Sequence, residues 1–254
     1  MASLVLNILV VVATGALAVR LFAGGLSHRY RAFFYYLIFT TLVGLVCLPL
    51  DPRQGLYQKV YVLTEPIGWI FFAWVVLELY SLVLKDYKGL YTVGRWTLLV
   101  AVALAVLGSA IIVMVPSHTA GQMSRILPYY YVTERAIYFS LVVFLLTIVA
   151  FLLQYPVTLS RNIVLHSVVY TLYFLSNTVA YLILSAGGFS LIWLTRYALQ
   201  LATLAALMVW LVRLNPAGEQ HSVRTRPAWM PGREEELIDQ LNSLNEALLR
   251  ASRK

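Results

Sequence analysis

Four charged side chains and one amide lie inside stretches of the sequence that are otherwise almost wholly apolar. They are Glu65, Glu134, Arg135, Asn177 and Arg196. A charged group at the centre of a bilayer costs roughly 2.5–3.5 kcal/mol, so it normally has an opposite charge beside it or a functional role. Counted from the ends of the apolar stretches at about 1.5 Å per residue, all five reach one depth, roughly 10 Å below the outer surface. The pattern predicts a polar layer inside the membrane.

The chemistry of this layer depends on which charges pair. Glu134 and Arg135 are adjacent in sequence, so on a helix they project about 100° apart and each needs a partner on another helix. Glu65 and Arg196 supply one charge of each sign. Three interpretations stay open: two buried ion pairs that tie the third, fifth and seventh helices together, a pocket for a small ligand or ion that opens to the outside, or a proton or ion pathway.

Residue types that carry catalysis or hold cofactors are scarce in the apolar stretches. The lysines are Lys59, Lys85, Lys88 and Lys254, and the histidines are His28, His118, His166 and His221. No lysine lies deep in an apolar stretch, so a retinal Schiff base has no anchor. Only His166 lies within one, no histidine pair has metal-ligand spacing, and no nucleophile-elbow, zinc-hydrolase or phosphate-loop motif occurs. We therefore expect no enzymatic activity, no cofactor and no metal.

The composition explains where these residues must sit. The chain of 254 residues is 61% hydrophobic and 12% charged, whereas a soluble domain is about half apolar and about a quarter charged. Glycines and prolines separate seven apolar stretches, at 3–22, 31–50, 58–84, 91–115, 128–155, 162–185 and 189–214. We predict an all-α polytopic membrane protein with seven transmembrane helices.

The basic residues predict the orientation of the bundle. They concentrate in the first, third and fifth connections and in the tail, which by the positive-inside rule are cytoplasmic. The amino terminus is then outside, and the first charge, Arg20, lies at the end of the first apolar stretch and not before it, which favours a retained helix over a cleaved signal. The bilayer predicted is a bacterial inner (plasma) membrane. Because this distribution accounts for the net charge of +8, we expect no nucleic-acid partner.

The carboxyl-terminal part of the chain differs from the bundle. Residues 1–214 form the predicted bundle, 215–232 a polar cytoplasmic linker and 233–254 a short amphipathic helix. In that helix Leu237, Leu241, Leu244 and Leu248 follow the spacing of a coiled-coil seam. Two heptads are marginal alone, so we expect a partner. The helix lies on the membrane, folds back on the bundle, forms a parallel homodimer, or docks a cytoplasmic signalling protein.

Two stretches carry a family resemblance. Residues 58–87 read QKVYVLTEPIGWIFFAWVVLELYSLVLKDY, and residues 233–250 read REEELIDQLNSLNEALLR. The first resembles the seven-helix amino-terminal sensor region of some bacterial membrane histidine kinases and related signalling proteins. The second resembles the helices that join such regions to output domains, although here the sequence stops at Lys254, where a kinase or cyclase would begin. The resemblance implies a sensor-like bundle that acts through a partner.

The functional expectation follows from these points. The chain is expected to be a receptor-like or scaffold protein that senses a small ligand near the outer face and couples to a partner or homodimer through its last helix. A small-solute or ion transporter or channel is the first alternative. A structural subunit of a membrane assembly is the second.

Overall fold

Each of the seven predicted spans coincides with a long helix in a computed structural model of the chain. The structure describes residues 2–50, 55–85, 87–114, 122–154, 158–187, 192–224 and 234–251. The long helices are α1 (Ala2–Ala23), α2 (Arg31–Cys47), α3 (Gly55–Val83), α4 (Lys88–Met114), α5 (Gln122–Gln154), α6 (Arg161–Gly187) and α7 (Ile192–Arg213). The bounds agree with the predicted spans to within a few residues, except that α5 begins at Gln122, six residues before the predicted start at 128.

By length and composition, several of these helices are candidates to cross a membrane. Among the described residues, four stretches are long and apolar enough to cross a bilayer, which takes about 20 residues: Leu4–Ala23, Gly55–Val83, Thr133–Ala150 and Arg161–Ala180. Arg31–Cys47, Gly89–Leu104 and Tyr197–Arg213 are apolar but shorter. The fold is therefore helical and consistent with a membrane protein, whereas the count of seven crossings and their direction stay predictions.

Five smaller elements complete the described chain. A single-turn 3-10 helix at Leu26–His28 follows α1. Gly25 precedes it with φ of 68°, a left-handed conformation that glycine adopts at little cost. After α7 come a short helix α8 (Ala217–Gln220), strand β2 (Ser222–Arg224) and helix α9 (Glu234–Ala251), and strand β1 (Thr158–Ser160) precedes α6.

The first of two compact units comprises Met1–Glu78 and Leu172–Pro216. In it α1 packs against α2 and α7. The close approach of α1 and α2 requires a glycine, because a Cβ at Gly44 would lie 2.5 Å from Cγ2 of Val11. Phe33 of α2 and Trp210 of α7 pack with ring centroids 5.0 Å apart, and both are buried.

The second unit comprises Leu79–Thr171 and Ala217–Lys254. In it α4 packs against α5 and α9, and β1 pairs antiparallel with β2, with Leu159 opposite Val223. Helices α3 and α6 each contribute residues to both units. The predicted end of the bundle at 214 lies two residues from the end of the first unit at Pro216. The predicted linker 215–232 contains α8 and β2, and its residues 225–232 lie outside the described residues.

Candidate functional site

In the first unit, polar side chains of α2, α3 and α6 come together. The hydroxyl of Tyr36 hydrogen-bonds with the side chains of Thr40 and Tyr173, and the carboxylate of Glu65 lies close enough to act on it electrostatically. Phe72 lies beside this group, with its ring centroid 5.1 Å from that of Tyr36 and 6.0 Å from that of Tyr173. We call Tyr36, Thr40, Glu65 and Tyr173 the Tyr36 cluster. It offers hydroxyl groups and one carboxylate against an aromatic wall.

Asn177 lies one helical turn beyond Tyr173 and is buried. Its Nδ2 donates a 2.8 Å hydrogen bond to the backbone oxygen of Tyr173. Because one donor of the amide is used within its own helix, Asn177 has less capacity for a ligand than the sequence suggested. Arg196, the other member of the predicted layer in this unit, is in α7, and its side chain lies outside the described residues.

The remaining members of the predicted layer belong to α5 in the second unit. Glu134 is 3% exposed, and its Oε1 accepts a 3.1 Å hydrogen bond from the hydroxyl of Tyr138. Arg135 is half-buried. The structure thus places Glu65 in the Tyr36 cluster and Glu134 beside Tyr138, and the pairing of both acids with Arg135 and Arg196 stays a prediction.

Sequence reasoning missed the hydroxyl groups of Tyr36, Thr40 and Tyr173. Tyr36 and Thr40 are four residues apart, and so are Glu134 and Tyr138, and Tyr173 and Asn177. Residues at this spacing are neighbours on one helix face. A search for polar pairs at i and i+4 inside the apolar stretches would therefore have found all three pairs.

Glu78 has a partner of a different kind from those that its sequence suggests. From the sequence, Glu78 lies in the inner third of the third predicted span, and the cations within its reach at the cytoplasmic edge are Lys85, Arg95 and Arg161. In the structure Oε1 of Glu78 accepts a 2.9 Å hydrogen bond from the amide of Ala32, and Oε2 accepts one of 3.3 Å from the amide of Phe33.

These two amides belong to the first turn of α2. The first amides of a helix have no partner inside it, and the cap residue Tyr30 makes no side-chain hydrogen bond to them. The carboxylate of α3 therefore replaces a local cap, and its negative charge is stabilised by the helix dipole.

Helix α9 docks on the start of α4. Leu241 is 1% exposed, and Oδ1 of Asn245 accepts a 2.8 Å hydrogen bond from the amide of Gly89. A Cβ at Gly89 would lie 2.6 Å from the backbone oxygen of Asn245 and 3.0 Å from Cβ of Leu248, so the contact requires glycine. Of the four interpretations of the tail helix, the structure shows the fold-back on the bundle.

When α9 is docked on α4, only part of the leucine seam that was predicted to bind a partner stays exposed. Leu241 is buried and Leu248 half-buried, whereas Leu244 is 44% exposed. The side chain of Leu237 lies outside the described residues. A coiled coil that used all four leucines would need α9 to leave α4.

A second attachment holds the segment before α9. Beyond the pairing of β1 with β2, the amide of Arg161 donates to the oxygen of His221 at 3.1 Å. Nδ2 of Asn162 donates to Oε1 of Glu219 at 2.8 Å, and Gly218 packs directly against Asn162. We call α8, β2 and α9 together the C-terminal clasp. It joins the start of α4 and the connection between α5 and α6 within the second unit.

His166 lies near this attachment in sequence, buried in α6 and stacked on Tyr170 with ring centroids 5.9 Å apart. Within the described segments, no three His, Cys, Asp or Glu side chains gather in a way that could hold a metal ion.

Comparison of the chain with models of protein families, with curated proteins and with solved structures finds no match.

Proposed function

We propose that this chain is a receptor-like or scaffold protein of a bacterial inner membrane, in which the C-terminal clasp is the output element. The supporting observation is the docking of α9 on α4 through Leu241 and Asn245. In this proposal the bundle crosses the membrane seven times with its amino terminus outside, as the distribution of basic residues indicates.

The energetics of the clasp suit a switch. Burial of a leucine side chain contributes about 1.5–3 kcal/mol, and a neutral hydrogen bond contributes about 1 kcal/mol net. Much of the described surface of α9 is polar and exposed. A docked and a released state that differ by a few kcal/mol can interconvert when a ligand binds one of them better. Release would free Leu241 and Leu248 to join a seam with a second copy or a cytoplasmic signalling partner.

The proposed input is the Tyr36 cluster, with Glu65 as its charged member. A small ligand or ion that offers a cation or hydrogen-bond donors would match its carboxylate and hydroxyl oxygens. Helices α3 and α6 contribute both to the unit that contains the cluster and to the unit that contains the clasp. They are therefore the proposed route of coupling.

The test is to open the clasp by mutation in the full chain. Gly89→Ala combined with Asn245→Ala opens the contact without changing the leucine seam, and it is expected to increase disulfide crosslinking between copies through Ser243→Cys, an exposed position on α9, in a background with Cys47→Ser. The control is Asn242→Ala with the same cysteine, because Asn242 is exposed and lies outside the seam. If crosslinking between copies and tryptic cleavage at Arg250 are the same in both proteins, the output role is wrong.

A transporter of small solutes or ions is the second candidate, supported by the position of Glu65 inside a helix long and apolar enough to cross the membrane. Flux into proteoliposomes separates the two. A flux that Glu65→Gln abolishes, together with no response of α9 to any transported solute, would favour transport.

A further inference from the structure

At one end of α1 an apolar cavity is bordered by a guanidinium group. The cavity has a volume of about 270 Å³ and lies entirely within the first unit. It is lined by Leu17, Arg20, Leu21, Ala23, Gly24, Leu26, Leu214 and Pro216. Leu17, Leu21 and Leu214 form a buried floor, whereas Arg20 and Ala23 are exposed at the margin.

The lining of the cavity suits hydrocarbon better than water. Ordered water in a cavity needs two to four polar partners per molecule, and cavities lined by leucines stay dry. Since α1 is long and apolar enough to cross a membrane and Arg20 lies in its last turn, the cavity lies at the level where acyl chains meet headgroups. Hydrocarbon is the content that suits it.

The charge beside the cavity selects the sign of the headgroup. Arg20 is exposed, and its guanidinium has no hydrogen-bond or ion-pair partner among the described residues. By contrast, Nε of Arg31 donates a hydrogen bond to the backbone oxygen of His28, and the guanidinium of Arg31 lies near the carboxylate of Glu78.

The two segments that line the cavity carry no acid, since no acidic residue occurs in residues 2–50 or 172–216. An open guanidinium group beside an apolar cavity matches a phosphate group attached to a hydrocarbon chain.

We infer that this cavity is a binding site for an anionic glycerophospholipid, with the phosphate at Arg20 and the start of an acyl chain in the cavity. The attraction of one arginine to an anionic membrane surface corresponds to about a fivefold preference for an anionic lipid over a neutral one. Removal of Arg20 should therefore reduce selective retention of the anionic lipid by about that factor.

The full chain is purified in detergent, incubated with an equimolar mixture of phosphatidylglycerol and phosphatidylcholine, and analysed by native mass spectrometry. The wild type should retain phosphatidylglycerol preferentially. In Arg20→Gln, the preference for phosphatidylglycerol over phosphatidylcholine should fall about fivefold. Lys59→Gln is the matched control, because it removes one exposed cation from the same unit without touching the cavity, and it should behave like the wild type. Ala23→Trp places a large side chain into the cavity from an exposed position and should reduce retention of both lipids.

Each outcome decides the proposal. Equal retention of the two lipids by the wild type would overturn it, and so would equal losses in Arg20→Gln and Lys59→Gln, which would indicate general charge attraction. If Ala23→Trp leaves retention unchanged, the acyl chain does not occupy the cavity and the proposed site is wrong. If inorganic phosphate displaces the lipid at millimolar concentration, Arg20 is part of a site for free phosphate and the proposed lipid site is wrong.

Discussion

The side chain of Asn245 caps the first turn of α4 at Gly89, a residue 156 positions before it in the chain. Its Oδ1 accepts a 2.8 Å hydrogen bond from the amide of Gly89, which lies at the start of α4. The first amides of a helix lack partners within it, and asparagine is among the best residues to satisfy one. Here the cap comes from another helix, so a single hydrogen bond both completes α4 and holds α9.

Asn245→Ala should therefore weaken the docking of α9 without unfolding it. The loss of a cap costs about 1 kcal/mol, which corresponds to about a fivefold increase in the released population. Hydrogen exchange of residues 241–249 and the rate of tryptic cleavage at Arg250 would measure the released population of α9. Asn242→Ala is the matched control, since Asn242 is exposed on the same helix. Equal exchange in the two variants would contradict the cap.

Gly89→Ala tests the same contact from the other side. An alanine normally favours a helix by about 0.5–1 kcal/mol over glycine, but here its Cβ would lie 2.6 Å from the backbone oxygen of Asn245. We expect faster exchange in α9 despite the better helix former in α4. Gly55→Ala, at a glycine with no neighbour within 4 Å, should leave α9 unchanged. Exchange of α9 in Gly89→Ala that is no faster than in the wild type would contradict this contact.

The sequence alone predicted where the helices lie, but it did not predict contacts such as that between Asn245 and Gly89. Apolar length and the glycines and prolines between stretches set the helix bounds, so α1, α3 and α7 fall within three residues of their predicted ends. The partners of Glu78 and Asn245 are backbone amides 45 to 46 and 156 residues away. A backbone amide carries no residue-specific signal, so charge counting pointed Glu78 toward cations instead.

Glu78→Ala should destabilise the first unit. It leaves the amides of Ala32 and Phe33 without their acceptor, which costs about 1–2 kcal/mol by comparison with other cap losses. Glu78→Gln keeps one acceptor oxygen and should recover part of the loss, while its neutral amide forgoes the interaction with the helix dipole. The thermal unfolding midpoint in detergent should fall in the order wild type, Glu78→Gln, Glu78→Ala.

The control for this series is Glu246→Ala. Glu246 makes an exposed pair with Arg250 at 3.3 Å, and such pairs contribute little, with a median of about 0–1 kcal/mol. An unfolding midpoint for Glu78→Ala as high as that of Glu246→Ala would rule out the capping role.

Tyr36→Phe isolates the hydroxyl group at the centre of the Tyr36 cluster. The ring keeps its packing against Phe72, whose centroid is 5.1 Å away, so the change removes only the hydrogen bonds to Thr40 and Tyr173. We expect a loss of about 1 kcal/mol per hydrogen bond removed, seen as a lower unfolding midpoint and as faster exchange in α2 around Thr40. Tyr35→Phe is the matched control, because Tyr35 is half exposed and packs against Trp74 through its ring. If the two variants unfold at the same temperature, the hydroxyl of Tyr36 does not hold α2 and α6 together, and the Tyr36 cluster loses its place as the proposed input.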